Sequence, residues 1–507
     1  MPNLLKSFYT CEITKRSRID CKKGKGGSFM PQKIDWQQIA EWDKKYLVHA
    51  FTTAEEYGTT FVERTEGNYL IQPDGSKLLD FYNQLYCVNA GQNIPEVQEA
   101  IKEALDRYGF VWDIYTTDYK AEVAKILIED ILGDGGWAAK VRYALGGGDA
   151  VETAILLARL MTGKPLVATR EHGYHGVSSG AVQLTALVPS RSFASYSDQP
   201  IRPVAGSTFQ NTFICPTPFC YRCSLGHDYP ACKCVHADGT LPCVKQTEEL
   251  IRAHNVANVA ALITEPANGA GTIIPPPEYL PQIEEMKNRL GILWIVDEVL
   301  MGFGRLGEWF GYQAITTRPV KPDMITIAKG ITSSALPLGA VIVNQKVADF
   351  MDSIRWNHVS TFAGHPLPLA AAKANLHYMM KHQIPAMCKE VGEYFRAELH
   401  TLAQKYRTIG LIAGAGMFWQ VELVKNKETR EPFIPEDRFT TFSGDPFATW
   451  PIKLISQYAG EKGVLVGGFV PNTLRMGGAC TTTKEEVDIV VNALDYAFKN
   501  MEKDLLG

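Results

Sequence analysis

The chain has 507 residues, with 51 Lys and Arg against 55 Asp and Glu, a formal net charge of −4. That length suits one large α/β unit with appendages, or several domain-sized units. A hydrophobic content of 46% with 21% charged residues excludes extended disorder, and the near-neutral balance argues against a dedicated nucleic-acid binder.

Residues 1–29 carry Lys6, Lys15, Arg16, Arg18, Lys22, Lys23 and Lys25 against Glu12 and Asp20. They have no apolar h-region and no cleavage-like site, so they do not read as a secretory signal. A disordered tail is expected there, with Met30 as an alternative start. Residues 30–89 are expected to open a smaller domain, and Tyr57–Asp80 predicts hairpin-like strands around Pro73-Asp74-Gly75. From 90 to 344, short apolar runs alternate with helical stretches. Val141–Leu145, Leu166–Thr169, Val259–Thr264, Leu293–Val296 and Met324–Ala328 read as buried strands. They are continuously apolar, as parallel strands covered on both faces should be. Asp149–Thr162 predicts a helix, with Asp149 as cap, Glu152 three residues on, and Gly163 and Pro165 ending it. The greasiest stretch, Leu290 to Phe303, is broken by Asp297 and Glu298, so no apolar run spans a bilayer. Amphipathic helices at Ala370–Lys381, Val391–Tyr406 and Lys484–Met501 are expected in 345–507, the second part of the small domain. The fold expected is α/β: a large domain with a mostly parallel central sheet, and a smaller α+β domain built from both chain ends.

Residues 195–245 read as a loop-rich insertion in the large domain. It holds Cys215, Cys220, Cys223, Cys232, Cys234 and Cys243 of the chain's eleven cysteines. A secreted disulfide scaffold would be shorter, so a reducing compartment, the cytoplasm, is expected. Cys220-x-x-Cys223 and Cys232-x-Cys234 offer four thiolates to zinc, with His227 and His236 as spare ligands. A loop of reduced thiols is the competing reading.

In an open parallel sheet, ligands bind outside the carboxyl ends of the strands. Gly146-Gly147-Gly148-Asp149 follows the first strand and opens a helix, which suits an anion cradle or an ordinary tight turn. Glu265-Pro266 follows the third, where a cap or surface ion pair is the plainer reading. Asp297-Glu298 follows the fourth. A buried strand-end Asp is costly unless it meets a cation, such as a protonated pyridine nitrogen. Lys329-Gly330 follows the fifth; a desolvated Lys there becomes a usable amine nucleophile, and a Lys snorkelling to the surface is the alternative. A phosphate cradle, an Asp and a Lys at one sheet edge are the set that pyridoxal phosphate requires.

These residues resemble class III aminotransferases, the ω-aminotransferase branch of fold-type I pyridoxal-phosphate enzymes, from about residue 45 to 500. The motifs that carry the resemblance are the run Trp294 to Gly307, Pro322-Asp323-Met324 leading to Lys329-Gly330, and Ser360-Thr361-Phe362-Ala363-Gly364-His365-Pro366. The resemblance implies that Lys329 forms the Schiff base and that Asp297 holds the pyridine nitrogen protonated. It implies that Val299 packs on one ring face and Tyr174 on the other, and that Gly147 and Gly148 cradle the phosphate. Thr361 would reach the phosphate of a neighbouring subunit, which makes the enzyme a homodimer or higher. Arg475 would bind the substrate α-carboxylate, and Glu265 would pair with that arginine when the donor lacks one. Two departures stand out: the glycine triplet lacks the hydroxyls usual beside the cradle, and Gly478-Ala479 replaces the usual Pro-Pro after Arg475.

The implied reaction is a ping-pong transfer from an ω-amine donor, of taurine or β-alanine type, to 2-oxoglutarate or pyruvate. Tyr86, in Leu85-Tyr86-Cys87-Val88-Asn89, sits where the family lines its donor pocket. Another pyridoxal-phosphate reaction, an aminomutase or decarboxylase, uses the same scaffold. A nicotinamide-dependent oxidoreductase is the rival from Gly302-Phe303-Gly304-Arg305-Leu306-Gly307, which fits G-x-G-x-x-G but does not directly follow a strand. A zinc-stapled interaction protein would leave the strand ends unexplained.

Overall fold

Every strand-end residue singled out above hangs from one seven-stranded sheet. The structure, a computed structural model, describes residues 34–50, 60–186, 211–269, 272–434, 451–470 and 472–507. The expected tail at 1–29 and the start of the insertion at 195–210 lie outside the described residues. The chain divides into a unit ending at Phe61 and a unit from Val62 to Gly507. In the first, Asp35 caps helix Trp36–Tyr46 by accepting the N–H groups of Gln37 and Gln38, each at 3.1 Å.

The second unit opens with antiparallel strands β1 (Arg64–Glu66), β2 (Tyr69–Ile71) and β3 (Lys77–Asp80). The β2–β3 turn runs through Pro73-Asp74-Gly75. There Ser76 N–H donates to Asp74 Oδ1 at 2.9 Å, and Gly75 takes the φ of +85° that the turn requires.

The large sheet contains β4 (Ala138–Ala144), β5 (Leu166–Arg170), β6 (Thr212–Cys215), β7 (Val259–Thr264), β8 (Leu293–Asp297), β9 (Met324–Ile327) and β10 (Gly339–Asn344), in the spatial order β4-β10-β9-β8-β7-β5-β6. From β9 to β6 all pairs are parallel; β10 runs antiparallel to both its neighbours. The residues of β7, β8 and β9 are buried without exception, as their uninterrupted apolar runs require. Two strands of this sheet escaped the sequence reading. β6 is short and only half buried, and β10 adds an antiparallel step inside an otherwise parallel pattern. The first strand also ends earlier than expected: β4 stops at Ala144, and Leu145 is exposed.

The next helix begins at Gly147 rather than at Asp149, with Gly146 as an extended N-cap. Asp149 sits inside the first turn, and its Oδ2 accepts the N–H of Leu145 at 2.8 Å. Glu152 does not close a capping box. Its Oε1 accepts the N–H groups of Gly180 (2.6 Å) and Ala181 (3.0 Å), at the start of helix Ser179–Leu184. The glycines explain the shift: without side chains they let the helix start close against neighbouring loops.

The last third supplies helices Pro366–Lys381, Ile384–Lys405 and Lys484–Leu506, near the predicted spans. It also supplies β11 (Ile409–Ala415), β12 (Phe418–Asn426), β13 (Glu431–Pro432), β14 (Val464–Leu465), β15 (Gly467–Val470) and β16 (Thr473–Met476). β14 pairs in parallel with β3, so one sheet draws strands from both ends of this unit. Among the described residues no helix is long and apolar enough to cross a membrane.

One buried ion pair ties the large sheet at its far end. Asp323, just before β9, accepts from Lys287 Nζ (2.9 Å), Trp294 N–H (2.8 Å) and Asn344 Nδ2 (2.9 Å). It thus joins helix Tyr279–Leu290, β8 and β10. Asp323→Ala would leave the Lys287 ammonium buried without its partner. A loss of about 3–5 kcal/mol in unfolding free energy is expected. Denaturant titration of the variant beside the parent checks this.

Candidate active site

The site is built where loops after β4, β5, β8 and β9 meet. The first intrahelical bond of helix Gly147–Thr162 is Ala150 N–H to the Gly146 carbonyl, at 2.9 Å. The N–H groups of Gly147, Gly148 and Asp149 therefore point out of the helix end, where an anion would be held. A Cβ on Gly147 would lie 2.7 Å from Val299 Cγ1, and one on Gly176 would lie 3.1 Å from Gly148 Cα. So Val299, two residues past β8, and Tyr174-His175-Gly176, past β5, both press on the cradle. Only glycine permits that approach.

Asp297 ends β8 and is 4% exposed. Its Oδ2 lies 2.7 Å from His175 Nδ1, and its Oδ1 accepts the N–H of Val299 at 3.1 Å. A carboxylate only accepts, so His175 carries its proton on Nδ1 in this pair. Two of about four acceptor positions are then filled, which leaves room for an N–H from a bound ring. On the neighbouring strand Asp297 is in register with Thr326, and Lys329 follows three residues later.

Lys329 stands on a 3-10 turn, Lys329–Thr332, with a left-handed φ of +42°. It is half buried rather than buried, because β9 ends at Ile327 and the chain turns away. Among the described residues its Nζ has no hydrogen-bond or ion-pair partner. The turn is braced by the segment after Tyr86. Ser333 Oγ accepts the Ala90 N–H at 3.0 Å, Ser334 Oγ donates to the Cys87 carbonyl at 2.9 Å, and a Cβ on Gly330 would lie 2.6 Å from Asn89 Nδ2.

A second group surrounds Arg475, on β16. Its guanidinium is buried against the rings of Tyr86 (4.6 Å) and Tyr82 (5.5 Å). Nη1 donates to the Gly269 carbonyl at 2.6 Å and Nη2 to the Tyr82 hydroxyl at 3.3 Å. The N–H of the same Gly269 donates to Glu265 Oε2 at 2.6 Å, and Glu265 Oε1 accepts the Tyr174 N–H at 3.0 Å. One residue, Gly269, thereby links Glu265 to Arg475. Burial raises the Glu265 carboxyl above its usual range; His175 opposes this and Asp297 adds to it. Burial also raises the Tyr174 phenol, with Asp297 and Glu265 contributing. The Tyr86 hydroxyl is buried without a hydrogen-bond partner among the described residues, and burial raises it strongly.

The loop after Arg475, where Gly478-Ala479 stands in place of the family's Pro-Pro, is packed too closely for side chains at Gly477 and Gly478. A Cβ on Gly477 would lie 1.9 Å from the Met417 carbonyl oxygen, and one on Gly478 would lie 2.2 Å from Thr482 Oγ1. Thr361 is not brought to the cradle by its own chain. It is exposed on the turn before helix Pro366–Lys381, with no hydrogen bond to another site residue.

Sequence reading missed His175, Tyr82, Gly269 and Arg305. The signal for His175 was present: His172-Gly173-Tyr174-His175-Gly176 follows a buried strand, and a strand-end His beside a strand-end Asp makes a natural pair. Arg305 is fully buried inside the G-x-G-x-x-G match. It donates to the Gly478 carbonyl (2.6 Å), Asn83 Oδ1 (2.7 Å) and Asn89 Oδ1 (2.8 Å), and lies 5.4 Å over the Tyr86 ring. No helix opens at Gly304–Gly307; the segment from Val299 to Phe310 consists of turns and bends. The oxidoreductase reading therefore fails on structural context.

The family model for aminotransferase class-III matches residues 52–498. Among solved structures, the chain is similar to an S-selective transaminase from Bacillus megaterium, 46% identical with a TM-score of 0.85, covering 93% of this chain and 99% of that one. It is similar to an S-selective transaminase from Arthrobacter sp. with alanine bound, 45% identical with a TM-score of 0.84 and the same coverage. A taurine:2-oxoglutarate aminotransferase from Bifidobacterium kashiwanohense, in complex with PLP and glutamate, is 26% identical with a TM-score of 0.81, covering 94% of this chain and all of that one.

Removing the His175 ring would leave Asp297 Oδ2 buried without its donor. His175→Ala is expected to lower kcat about tenfold to a hundredfold, the equivalent of about 1–3 kcal/mol. Steady-state kinetics checks this, with circular dichroism confirming the fold.

Proposed function

The chain belongs to the class III aminotransferases, which use pyridoxal phosphate, and from that premise we propose that it moves the amino group of an ω-amine of taurine or β-alanine type to pyruvate or 2-oxoglutarate. The observation that carries the cofactor assignment is geometric. A cradle that admits no Cβ beside Val299, a buried Asp297 with acceptor capacity to spare, and a Lys329 without a partner among the described residues follow strands of one sheet.

Pyridoxal phosphate supplies an electron sink and carries the amino group between two half-reactions. In this reading the N–H groups of Gly147 and Gly148 would hold its phosphate, Asp297 would keep its ring nitrogen protonated, Val299 and Tyr174 would contact its ring, and Lys329 Nζ would hold its aldehyde group at rest. During turnover Lys329 Nζ takes the proton from the carbon that bears the donor's amino group, acting as general base and then as acid. Arg475 is the anion-binding group for the carboxylate of the 2-oxo acid. Its aromatic flanks keep water away and strengthen the pairing. Glu265 and the Gly269 peptide offer that guanidinium a resting place when a donor without an α-carboxylate is bound.

Alanine in the Arthrobacter structure favours pyruvate as acceptor, since alanine is the amine that pyruvate becomes. The Bifidobacterium enzyme supports the taurine and 2-oxoglutarate pair. A homodimer is part of the proposal. Thr361 is exposed near Phe362 and Val359, and Phe362 lies 6.1 Å from the exposed Phe110, with Trp112, Ile114 and Tyr115 close in sequence. An apolar surface of that kind suits a subunit interface, from which Thr361 reaches a neighbour's phosphate. The nine described cysteines are free thiols, which favours the cytoplasm.

Initial rates with both substrates varied are expected to give parallel double-reciprocal lines, and Lys329→Ala is expected to abolish multiple turnover. Sustained turnover by that variant would overturn the assignment. Taurine, β-alanine and glutamate, each added without a 2-oxo acid, identify the donor by the change in the visible spectrum of the bound cofactor. Tyr86→Phe removes a hydroxyl that has no hydrogen-bond partner among the described residues. A rise of about two- to tenfold in donor KM is expected, at unchanged thermal stability, if that hydroxyl meets the donor.

A further inference from the structure

Between β6 and helix Pro242–Ala253 the chain forms only two 3-10 turns, Cys220–Arg222 and Ala231–Cys234. Ion pairs tie this segment to other elements: Arg222 to Glu422 at 2.6 Å, Asp228 to Arg430 at 3.1 Å, and Lys233 to Glu278. Inside it is a cavity of about 20 Å³, walled by Cys220, Cys223, Cys232 and Cys243, with His227 and Tyr229 beside them. That is room for one water or one ion.

The four thiols come from both turns and from the first turn of the helix. All four line that one cavity, Cys232 buried and Cys220, Cys223 and Cys243 half buried. Cys234 is exposed and Cys215 lies at the end of β6; neither lines the cavity. Among the described residues no three His, Cys, Asp or Glu side chains stand in the tight arrangement of a formed metal site. The thiols converge on one cavity, and an ion would have to draw them closer.

We infer that Cys220, Cys223, Cys232 and Cys243 are the ligands of a structural zinc ion. Four sulfur ligands around a small cavity suit tetrahedral zinc, with no open position for substrate. On binding, each thiol releases its proton to solvent and the metal takes the four thiolates. The ion would link both turns to the helix start, closing a segment that has almost no secondary structure to hold it. Cys243 takes the place that the C-x-C spacing had suggested for Cys234.

The test uses the full chain with its cofactor, purified under reducing conditions without chelator. Atomic emission is expected to find about one zinc per chain. Cys234→Ser is expected to keep the metal, and Cys243→Ser to lose it. Cobalt(II) exchanged into the unsubstituted chain should give sulfur-to-metal charge-transfer and tetrahedral d–d bands, which decides the matter even if Cys243→Ser does not fold. The inference falls if the reduced chain holds no stoichiometric zinc after zinc is supplied, if cobalt gives no thiolate bands, or if Cys234→Ser loses the metal as fully as Cys243→Ser.

Discussion

A carboxylate taken out of water costs several kcal/mol unless donors or a cation meet it. Asp297 is in that position at the end of β8, the strand next to β9, from which Lys329 follows. His175 and the Val299 N–H satisfy part of its demand, and those two contacts determine what surrounds it. The His175 contact draws the loop after β5 toward the sheet's centre, across the intervening β7. The Val299 contact sets the loop after β8 against the glycines of the cradle. Acceptor capacity remains on Asp297, of the kind a protonated ring nitrogen requires, and one buried carboxylate thus orders the loops around it.

Close approach does the rest. Gly147 against Val299, Gly176 against Gly148 and Gly330 against Asn89 are contacts that a single added methyl group would break. They let four loops share a small volume that side chains would otherwise occupy. Gly269 serves the second group in a different way. Its N–H meets Glu265 and its carbonyl meets Arg475, so the carboxylate and the guanidinium are coupled through one small residue. The aromatic rings of Tyr82 and Tyr86 then cover the guanidinium.

Arg305 shows how a motif can be recognised and its role still be misassigned. Its glycines fit a dinucleotide fingerprint by spacing alone. In the fold they flank a buried guanidinium that holds Asn83, Asn89 and the Gly478 carbonyl together beneath Tyr86. The segment from Asn83 to Asn89 is therefore braced by the same run of residues that follows Asp297.

The three central strands β7, β8 and β9, and the charged residues at their ends, were legible in the sequence, because a strand buried on both faces must be continuously apolar and any charge at its end then stands out. The lysine, the aspartate and the glycine cradle could be lined up from that alone. Strands β6 and β10 were not legible, since a short half-buried edge and an antiparallel insertion leave no distinct local signal. The true start of helix Gly147–Thr162 depended on which loops press against its glycines, and Glu152 turned out to cap a different helix. The sequence by itself determined which chemical groups are present and at which strand ends they stand, because burial leaves its mark on local composition. Only the tertiary structure decided which groups meet: His175 with Asp297, Gly269 with Arg475, Cys243 rather than Cys234 with the other thiols. Those contacts join residues far apart in the chain, and no local pattern constrains the distance between them.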